Sequence, residues 1–347
     1  MFDQFSSLKA AWHIEKIAAL REKKDIVPTH VQLIISDLCN QDCGFCAYRM
    51  PQGFSTEQFA GEKGEKNPAR FISTQKAKEI LDDCQRMGVG AIEFTGGGEP
   101  TVHPDWQEIV SHAQFLGMST GLVTNGIRLK PHPVLERLTW LRISLDAGLQ
   151  LTYETIRRVR HWDKAMNALS LAASLKGPYV GAGFVVTEEN YREIYGAARL
   201  VRENGLPYIR LSAMFSHLGS KYYDDFIEEI DLQRRCAKEL ETSSFKGVDF
   251  FDARVQDLKY AAPDYNFCGE QQFVLYIGGN LKVYTCCTNA YTKKGEIGDL
   301  SQQSFENWLK TTRRFDFNAR SCHHCQFNDK NRVINYMLSE PAHVDFV

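Results

Sequence analysis

Six short apolar runs alternate with segments of helical periodicity, and this alternation limits the possible fold more than any other feature of the sequence. Each run is rich in β-branched residues and has the length of a buried strand. Strands that alternate with helices form a parallel sheet covered by helices, so the pattern predicts an α/β fold with a partial (β/α)6 TIM-like barrel. The predicted strands are 31–35, 90–95, 119–124, 140–145, 179–187 and 207–213, and the predicted helices are 73–87, 104–117, 162–175, 190–204 and 226–241.

Three cysteines with the spacing C-x3-C-x2-C follow the first predicted strand: Cys39, Cys43 and Cys46. Closely spaced cysteines in a reduced protein indicate a metal site before they indicate disulfides. A closed structural site usually has four protein ligands, so three thiols leave one coordination position for chemistry. The position also fits, because parallel α/β barrels carry their active sites at the C-terminal ends of the strands.

Polar residues and glycines follow the next three strands. Gly96-Gly97-Gly98-Glu99-Pro100 lies after the second strand, and Asn125 lies after the third. Glycines let a backbone approach a ligand closely, and a carboxylate beside them is suited to hold an ammonium group. At the end of the fourth strand, Ser144 and Asp146 alternate with apolar residues, so both are predicted to face the barrel interior.

These motifs together resemble the radical S-adenosylmethionine (SAM) enzymes, including the aromatic residue, Phe45, before the third cysteine. The resemblance implies a [4Fe-4S] cluster on the three cysteines, with the amino and carboxylate groups of SAM on the fourth iron. It also implies that Gly97, Gly98 and Glu99 bind the amino group of SAM. The remaining implied SAM contacts are Phe45 and Asn125, Ser144 and Asp146 on the ribose, and Arg157 on the carboxylate. For Arg157 there is an alternative, in which it forms a solvated basic face with Arg158 and Arg160.

The second part of the chain resembles the twitch version of the SPASM auxiliary-cluster domain. One cysteine precedes a β-hairpin predicted around Gly278-Gly279-Asn280, another follows it, and a C-x2-C pair follows a short helix. The resemblance implies a second, auxiliary [4Fe-4S] cluster on Cys268, Cys286, Cys322 and Cys325, with Cys287 as a competitor of Cys286. A structural zinc site on the same four cysteines, with His323 or His324 as substitutes, is the alternative. The predicted domains are an N-terminal helix (1–27), the barrel (28–243) and the twitch-like domain with a C-terminal helix (244–347).

Composition and charge limit the partners to expect. The net charge of −2 gives no reason to expect nucleic acid, and no stretch reaches the roughly 20 apolar residues of a membrane span. The first 25 residues read as an amphipathic helix, with Leu8, Trp12, Ile14, Ile17 and Leu20 as its apolar face. Residues 54–70 form a polar insertion, predicted as a solvated loop or a mobile lid. Because export would expose an open cluster to oxidation, we expect a cytoplasmic protein.

The resemblance implies reductive cleavage of SAM to a 5′-deoxyadenosyl radical that removes a hydrogen atom from a peptide or a small molecule. An auxiliary cluster closed by four cysteines would relay electrons in a net oxidation or a cross-link, with flavodoxin or ferredoxin as reductant. Fewer than 30 residues precede the first predicted strand, too few for a separate leader-binding domain, which weakens the peptide interpretation. The alternatives are modification of a nucleotide, a nucleic acid or an amino sugar and, in another class, a non-catalytic iron–sulfur or zinc-binding module.

Overall fold

The computed structural model of the protein describes residues 4–49, 57–59, 67–339 and 342–343. Its described residues form one ten-stranded sheet with the strand order β10-β9-β8-β1-β2-β3-β4-β5-β6-β7. The strands are β1 (His30–Leu33), β2 (Ala91–Phe94), β3 (Ser119–Thr124), β4 (Trp140–Ser144), β5 (Tyr179–Val186), β6 (Tyr208–Ala213), β7 (Lys246–Asp249), β8 (Val274–Ile277), β9 (Lys282–Tyr284) and β10 (Glu296–Asp299).

Helices connect the strands and cover the sheet. The α-helices are α1 (Ile14–Arg21), α2 (Thr74–Met87), α3 (Trp106–Phe115), α4 (Pro133–Glu136), α5 (Gln150–Arg157), α6 (Trp162–Ser174), α7 (Ile194–Glu203), α8 (Ile227–Glu239), α9 (Phe251–Lys259), α10 (Glu270–Phe273), α11 (Phe305–Thr311) and α12 (Asn328–Leu338). The 3₁₀ helices are Ser7–Trp12, Pro100–Val102, Tyr191–Glu193, Ser220–Tyr223 and Ala319–Ser321.

The predicted partial parallel barrel is confirmed. Strands β1 to β6 pair in sequence order and in parallel, and the five predicted helices are present with ends shifted by a few residues. A seventh parallel strand, β7, pairs with β6 and was not predicted. Its sequence, Lys-Gly-Val-Asp, contains a single apolar residue, so it carries no hydrophobic pattern that marks a strand.

Helix α2 shows how local signals set the boundaries of one element. The Ser73 side chain accepts a hydrogen bond from the backbone N–H of Lys76, which caps the helix start. The helix ends at Gly88, whose φ of 86° is the left-handed conformation that glycine adopts at least cost. Between these ends, Ala77, Ile80, Leu81 and Cys84 are buried against the sheet, as the helical period predicts.

The predicted hairpin is present, and it extends the barrel sheet. Strands β8 and β9 pair antiparallel, and β8 also pairs in parallel with β1, so the hairpin continues the sheet on the side opposite β7. The second part of the chain is therefore hydrogen-bonded directly to the strand that precedes the first cysteine loop. The division of the chain at residues 27 and 243 remains a prediction.

The N-terminal segment differs from the single amphipathic helix predicted from the sequence. It breaks at His13 into a 3₁₀ helix and α1, which changes the helical phase. As a result Leu8, Trp12 and Ile14 are exposed, whereas Ile17 and Leu20 are buried in a cluster that includes residues of α12. Most of the predicted insertion at 54–70 lies outside the described residues, and within those residues no helix has the length and apolar character of a membrane span.

Candidate active site

The loop after β1 brings the thiols of Cys39, Cys43 and Cys46 together. The loop is fastened to the end of α5, because the backbone N–H groups of Asp42 and Gly44 donate to the carbonyls of Arg157 and Ile156 at 3.1 and 2.9 Å. Burial, then the Glu99 carboxylate and the other two thiols, together raise the pKa of Cys39 to about 12. Burial and then the neighbouring Cys43 raise the pKa of Cys46. The three sulfur atoms therefore lie near enough to oppose one another's ionisation.

The chemistry of this donor set fits an iron–sulfur cluster. A metal centre stabilises thiolates that burial otherwise disfavours, so it would offset the cost of gathering these three groups. The Arg157 Nη1 atom donates to the Cys43 sulfur at 3.3 Å, and the Asn125 amide lies 4.0 Å from the Cys39 sulfur. Within the described part of the chain, no three His, Cys, Asp or Glu side chains converge on a position for a single metal ion. In an iron–sulfur cluster each thiolate binds a separate iron, so its ligands need not converge on one metal ion.

The glycines before Glu99 pack against the end of β1. The Gly98 N–H donates to the Ser36 carbonyl at 3.1 Å, and a Cβ on Gly98 would overlap the backbone of Asp37 and Leu38. A Cβ on Gly97 would approach the Tyr291 hydroxyl to 2.9 Å. Glycine is therefore required here because two strand ends pack closely. The reason predicted from the sequence was different, namely that glycines let the backbone approach a ligand.

The Glu99 carboxylate is buried and accepts four hydrogen bonds. Oε1 accepts from the Thr101 N–H (3.0 Å), the Thr101 hydroxyl (2.6 Å) and the Thr124 hydroxyl (2.5 Å), and Oε2 accepts from the Asn125 N–H (2.8 Å). Among the described residues, no lysine or arginine pairs with it, so its negative charge lacks a protein cation. A carboxylate held in this way is well suited to an ammonium group.

Asn125 lies between Glu99 and the cysteine loop. Its backbone N–H donates to the Glu99 carboxylate, and its side-chain Nδ2 atom donates to Asn40 Oδ1 at 2.7 Å. The same Nδ2 atom lies 4.0 Å from the Cys39 sulfur. The strand ends of β1, β2 and β3 therefore meet here.

Arg157 is buried, which rules out the solvated basic face for this residue, whereas Arg158 and Arg160 are exposed. Its Nη2 atom pairs with the Asp146 carboxylate and donates to the Ser144 carbonyl at 2.8 Å. The Phe45 ring lies beneath the guanidinium, 5.5 Å from ring centroid to Cζ. Among the described residues, Arg157 Nε is buried and has no hydrogen-bond partner, so it remains a donor for a bound anionic group.

Asp146 leaves β4 with a φ of 58°, in the left-handed region. Its carboxylate also accepts from the Val185 N–H on the neighbouring strand. Ser144 and Asp146 were predicted to share a face because side chains alternate along a strand. That alternation ends at Ser144, the last residue of β4. Asp146 is fully enclosed, while Ser144 is half-buried.

Asp37, at the end of β1, was missed by the sequence analysis. Its side chain is buried, accepts from the Tyr291 hydroxyl, and pairs with Arg70 Nε at 2.8 Å. Tyr291 follows the β8–β9 hairpin, so this pair links the first cysteine loop to the second part of the chain. A carboxylate directly after a strand and two residues before Cys39 was the signal available in the sequence.

Comparisons with known proteins agree on one family. Residues 33–201 match the model of the radical SAM superfamily. That stretch of the chain, from the end of β1 into α7, is a radical SAM domain. The mycofactocin maturase MftC of Mycobacterium tuberculosis is 28% identical to this chain over 263 residues. The match covers 73% of this chain and 66% of MftC, so the chain spans just under two thirds of that relative.

Two solved radical SAM neighbours support the fold. Streptococcus suis SuiB bound to the precursor peptide SuiA matches with a TM-score of 0.56 at 15% identity, covering 94% of this chain and 76% of SuiB. The protein anSMEcpe with bound AdoMet matches with a TM-score of 0.58 at 14% identity, covering 89% of this chain and 96% of that one.

The radical SAM chain has a second thiol site, where Cys268, Cys286, Cys322 and Cys325 line one cavity. Neutral groups donate hydrogen bonds to two of these sulfurs. The Cys325 sulfur lies 3.3 Å from the Tyr265 hydroxyl and 3.7 Å from Asn331 Nδ2. The Cys322 sulfur lies 3.3 Å from Asn289 Nδ2. Hydrogen bonds to sulfur suit thiolate ligands of a cluster, since they stabilise the charged form.

Cys287 lies apart from this cavity. Its sulfur accepts a hydrogen bond from Gln326 Nε2 at 2.6 Å, and it packs on a cluster of aromatic residues that includes Tyr276 and Tyr291. His324 also lines the cavity, and its Nδ1 atom lies 2.6 Å from the Tyr260 carbonyl. The four cysteines predicted as ligands are thus the four that meet.

Proposed function

We propose that this chain is a radical SAM enzyme that oxidises or cross-links a peptide substrate. The observation that carries the proposal is that three thiols and the buried Glu99 carboxylate meet at neighbouring strand ends, and that no lysine or arginine among the described residues pairs with Glu99. When bound, the cluster and SAM supply a 5′-deoxyadenosyl radical that removes a hydrogen atom from the substrate.

The protein's own residues bind and orient SAM. We assign Cys39, Cys43 and Cys46 as cluster ligands. Glu99, supported by the close packing of Gly97 and Gly98 and by Asn125, holds the amino group of SAM. Ser144 and Asp146 hold the ribose, and Arg157, with Phe45 beneath it, holds the carboxylate through its unpartnered Nε. These assignments are proposals based on the contacts described above.

A peptide substrate is supported by the relatives. MftC is named as a maturase, SuiB has been solved with the precursor peptide SuiA, and anSMEcpe has been solved with the Kp18Cys peptide.

The second thiol site supports an electron-relay role. If Cys268, Cys286, Cys322 and Cys325 all bind the auxiliary cluster, no iron is left open for substrate, and the cluster serves the domain fold or electron transfer. The reductant is then a flavodoxin or a ferredoxin, and we place the enzyme in the cytoplasm because an open cluster is sensitive to oxidation.

Metal content and SAM cleavage test the proposal. Anaerobically reconstituted protein is expected to contain about eight irons and eight sulfides, from two four-iron clusters. The Cys39→Ala/Cys43→Ala/Cys46→Ala variant should keep about half of that iron and form no 5′-deoxyadenosine. Retained cleavage by this variant would remove the central proposal. Zinc in place of iron at the second site would refute the auxiliary cluster alone.

A further inference from the structure

Two arginines face the inside of the barrel from β4 and β6. On β4, Leu141 and Ile143 are buried in the main core, so Arg142 between them faces the opposite side of the sheet. Arg210 on β6 has the same relation to Ile209 and Leu211. Both guanidinium groups therefore enter the barrel interior.

Gly183 on the intervening strand leaves room for these side chains. It is the register partner of Arg210, and a Cβ built on it would lie 3.5 Å from Arg142 Cδ. The two arginines thus flank a position on β5 that has no side chain.

The barrel interior supplies little negative charge to these arginines. The Glu93 carboxylate on β2 has two other partners. Its Oε2 atom accepts a hydrogen bond from Gln32 Nε2 at 3.1 Å and lies 3.6 Å from His30 Nε2. Arg254, which also approaches Arg210, has its own partner in Asp257 at 3.1 Å. Among residues 4–49, 57–59 and 67–339, neither Arg142 nor Arg210 makes a hydrogen bond or a salt bridge.

Aromatic rings support both side chains without neutralising them. The Arg142 guanidinium lies over Trp140 at 5.6 Å, and that of Arg210 lies over Phe250 at 4.9 Å. Burial, and then the nearby Arg142 and Arg254, lower the pKa of Arg210 to about 9. Enclosed like charges without a partner destabilise a fold, so a site of this kind is stable when a ligand brings the opposite charge. The guanidinium fork matches carboxylate and phosphate groups.

We propose that Arg142 and Arg210 bind an anionic group of the substrate, a carboxylate or a phosphate, inside the barrel. The proposal rests on the proposed function, because it assigns the deep end of the same active site. Arg142 lies two residues before Ser144, and Arg210 lies three residues before Ala213, where their strands end. The anionic group therefore lies deeper than the cysteine loop and Glu99, and the rest of the substrate extends toward the strand ends.

Thermal unfolding of the full-length reconstituted protein tests this site. The measured quantity is the unfolding midpoint in phosphate, or in acetate, minus the midpoint in chloride at equal ionic strength. We expect a positive difference for wild type, since a ligand that binds the folded state stabilises it. The difference should be smaller in Arg142→Met and Arg210→Met, where only the stabilisation that these salts give without a specific site remains. Arg192→Met is the matched control, because Arg192 also stacks on an aromatic ring, Tyr191, but is exposed.

A purely structural role predicts the opposite pattern. If Arg210 only supports the fold, Arg210→Met lowers the midpoint in chloride and keeps the anion-dependent difference. If it binds an anion, the midpoint in chloride stays level or rises, because a repelling charge is gone. Arg210→Lys, which keeps the charge but loses the fork, should keep the chloride midpoint and reduce the difference. This second variant preserves the test should the Met variants fold poorly.

Each outcome decides the proposal. Phosphate also stabilises proteins without a specific site, so the group is assigned from the part of each difference that Arg142→Met and Arg210→Met remove and Arg192→Met keeps. A larger part with phosphate assigns a phosphate group, and a larger part with acetate assigns a carboxylate. An equal difference in wild type and both Met variants, or no difference in wild type, would overturn the anion site. SAM cleavage by the wild-type protein is measured separately. Its absence would overturn the proposed function, whereas its presence beside a failed anion test would overturn this inference alone.

Discussion

The guanidinium of Arg157 and the carboxylate of Asp146 form a buried ion pair between the last turn of α5 and the end of β4. The exposed fractions of the two side chains are 6% and 4%, so neither charge is solvated. The same guanidinium also contacts Gln41 and the Cys43 sulfur. The pair therefore connects the cysteine loop to the strand end proposed to hold the SAM ribose.

Arg157→Met should destabilise the protein and weaken SAM binding. Removing one partner of a buried pair leaves the other charge uncompensated and costs about 3–5 kcal/mol. The double variant Asp146→Asn/Arg157→Met should regain much of that free energy of unfolding, because no isolated charge remains. Denaturant unfolding of the reconstituted variants measures these differences.

Arg158→Met is the control for this pair. The Arg158 side chain is 59% exposed and lies 3.8 Å from Asp42, so its loss should change the free energy of unfolding by less than about 1 kcal/mol. Equal effects of the Arg157 and Arg158 substitutions would contradict a buried pair at this position.

Arg157 also shows where prediction from sequence reaches its limit. The cysteine spacing is local, so three neighbouring thiols were predictable from eight residues. The burial of Arg157 depends on hydrogen bonds from Asp42 and Gly44, more than 100 residues earlier in the chain, and no local pattern reports them. A solvated face and a buried residue have the same local sequence.

The barrel strands give a second example. The alternation of Leu141, Arg142 and Ile143 predicts that the arginine faces away from the helices. The alternation does not predict that Arg210 lies near Arg142 across Gly183. Nor does it predict that the Glu93 carboxylate already accepts a hydrogen bond from Gln32. Those facts depend on strand register, which the sequence alone leaves open. The parallel pairing of β8 with β1 was unpredictable for the same reason.

Glu99→Gln should lower the affinity for SAM by about 10- to 100-fold, the loss expected when a charge-assisted hydrogen bond worth about 1.5–3 kcal/mol is removed. The substitution keeps the shape of the side chain and removes its charge. Calorimetric titration of reconstituted protein with SAM measures the change.

Thr124→Val is the structural control for Glu99. It removes one hydrogen bond to the carboxylate and leaves the charge in place. We expect a smaller loss of SAM affinity than for Glu99→Gln. A Glu99→Gln protein that binds SAM as wild type does would exclude Glu99 from the amino-group site.

Cys286→Ala and Cys287→Ala should separate the two adjacent thiols. Cys286 lines the second cavity with the other three cysteines, whereas Cys287 does not line it and its sulfur accepts a hydrogen bond from Gln326. Cys286→Ala is therefore expected to lose or destabilise about one of two clusters, and Cys287→Ala to keep the wild-type iron content. Iron and sulfide analysis decides between them. The reverse result would make Cys287 the ligand.

His30 should make the stability depend on pH. Burial lowers its pKa below the ordinary value of 6.5; Glu93 and Glu270 oppose this shift, while Lys330 and Lys9 add to it. The unfolded chain then binds more protons than the folded one, so stability falls as the pH drops below about 6.5. His30→Gln should flatten this dependence. Denaturation midpoints measured from about pH 7.5 to pH 5.5 provide the test, and an unchanged slope in the variant would contradict it.

Cys322→Ala/Cys325→Ala should abolish product formation while the barrel still binds SAM. Four thiols at the second site leave no iron for substrate, so the auxiliary cluster is expected to act after hydrogen abstraction, as an electron acceptor. SAM cleavage without product should persist, since it needs the residues at the barrel strand ends and not those of the second cavity. Metal-site binding energy is also folding energy, so circular dichroism and SAM affinity must be measured on the same preparation.

Spectroscopy of the wild-type auxiliary cluster gives an independent check of that relay. With four cysteine ligands, addition of substrate should leave the ligand environment of this cluster unchanged, because no coordination position is open. The hydrogen bonds from Tyr265 and Asn289 to two of the sulfurs should persist as well. A direct bond between substrate and iron would show that one of the four cysteines is not a ligand, and the cluster would then anchor the substrate in place of relaying electrons.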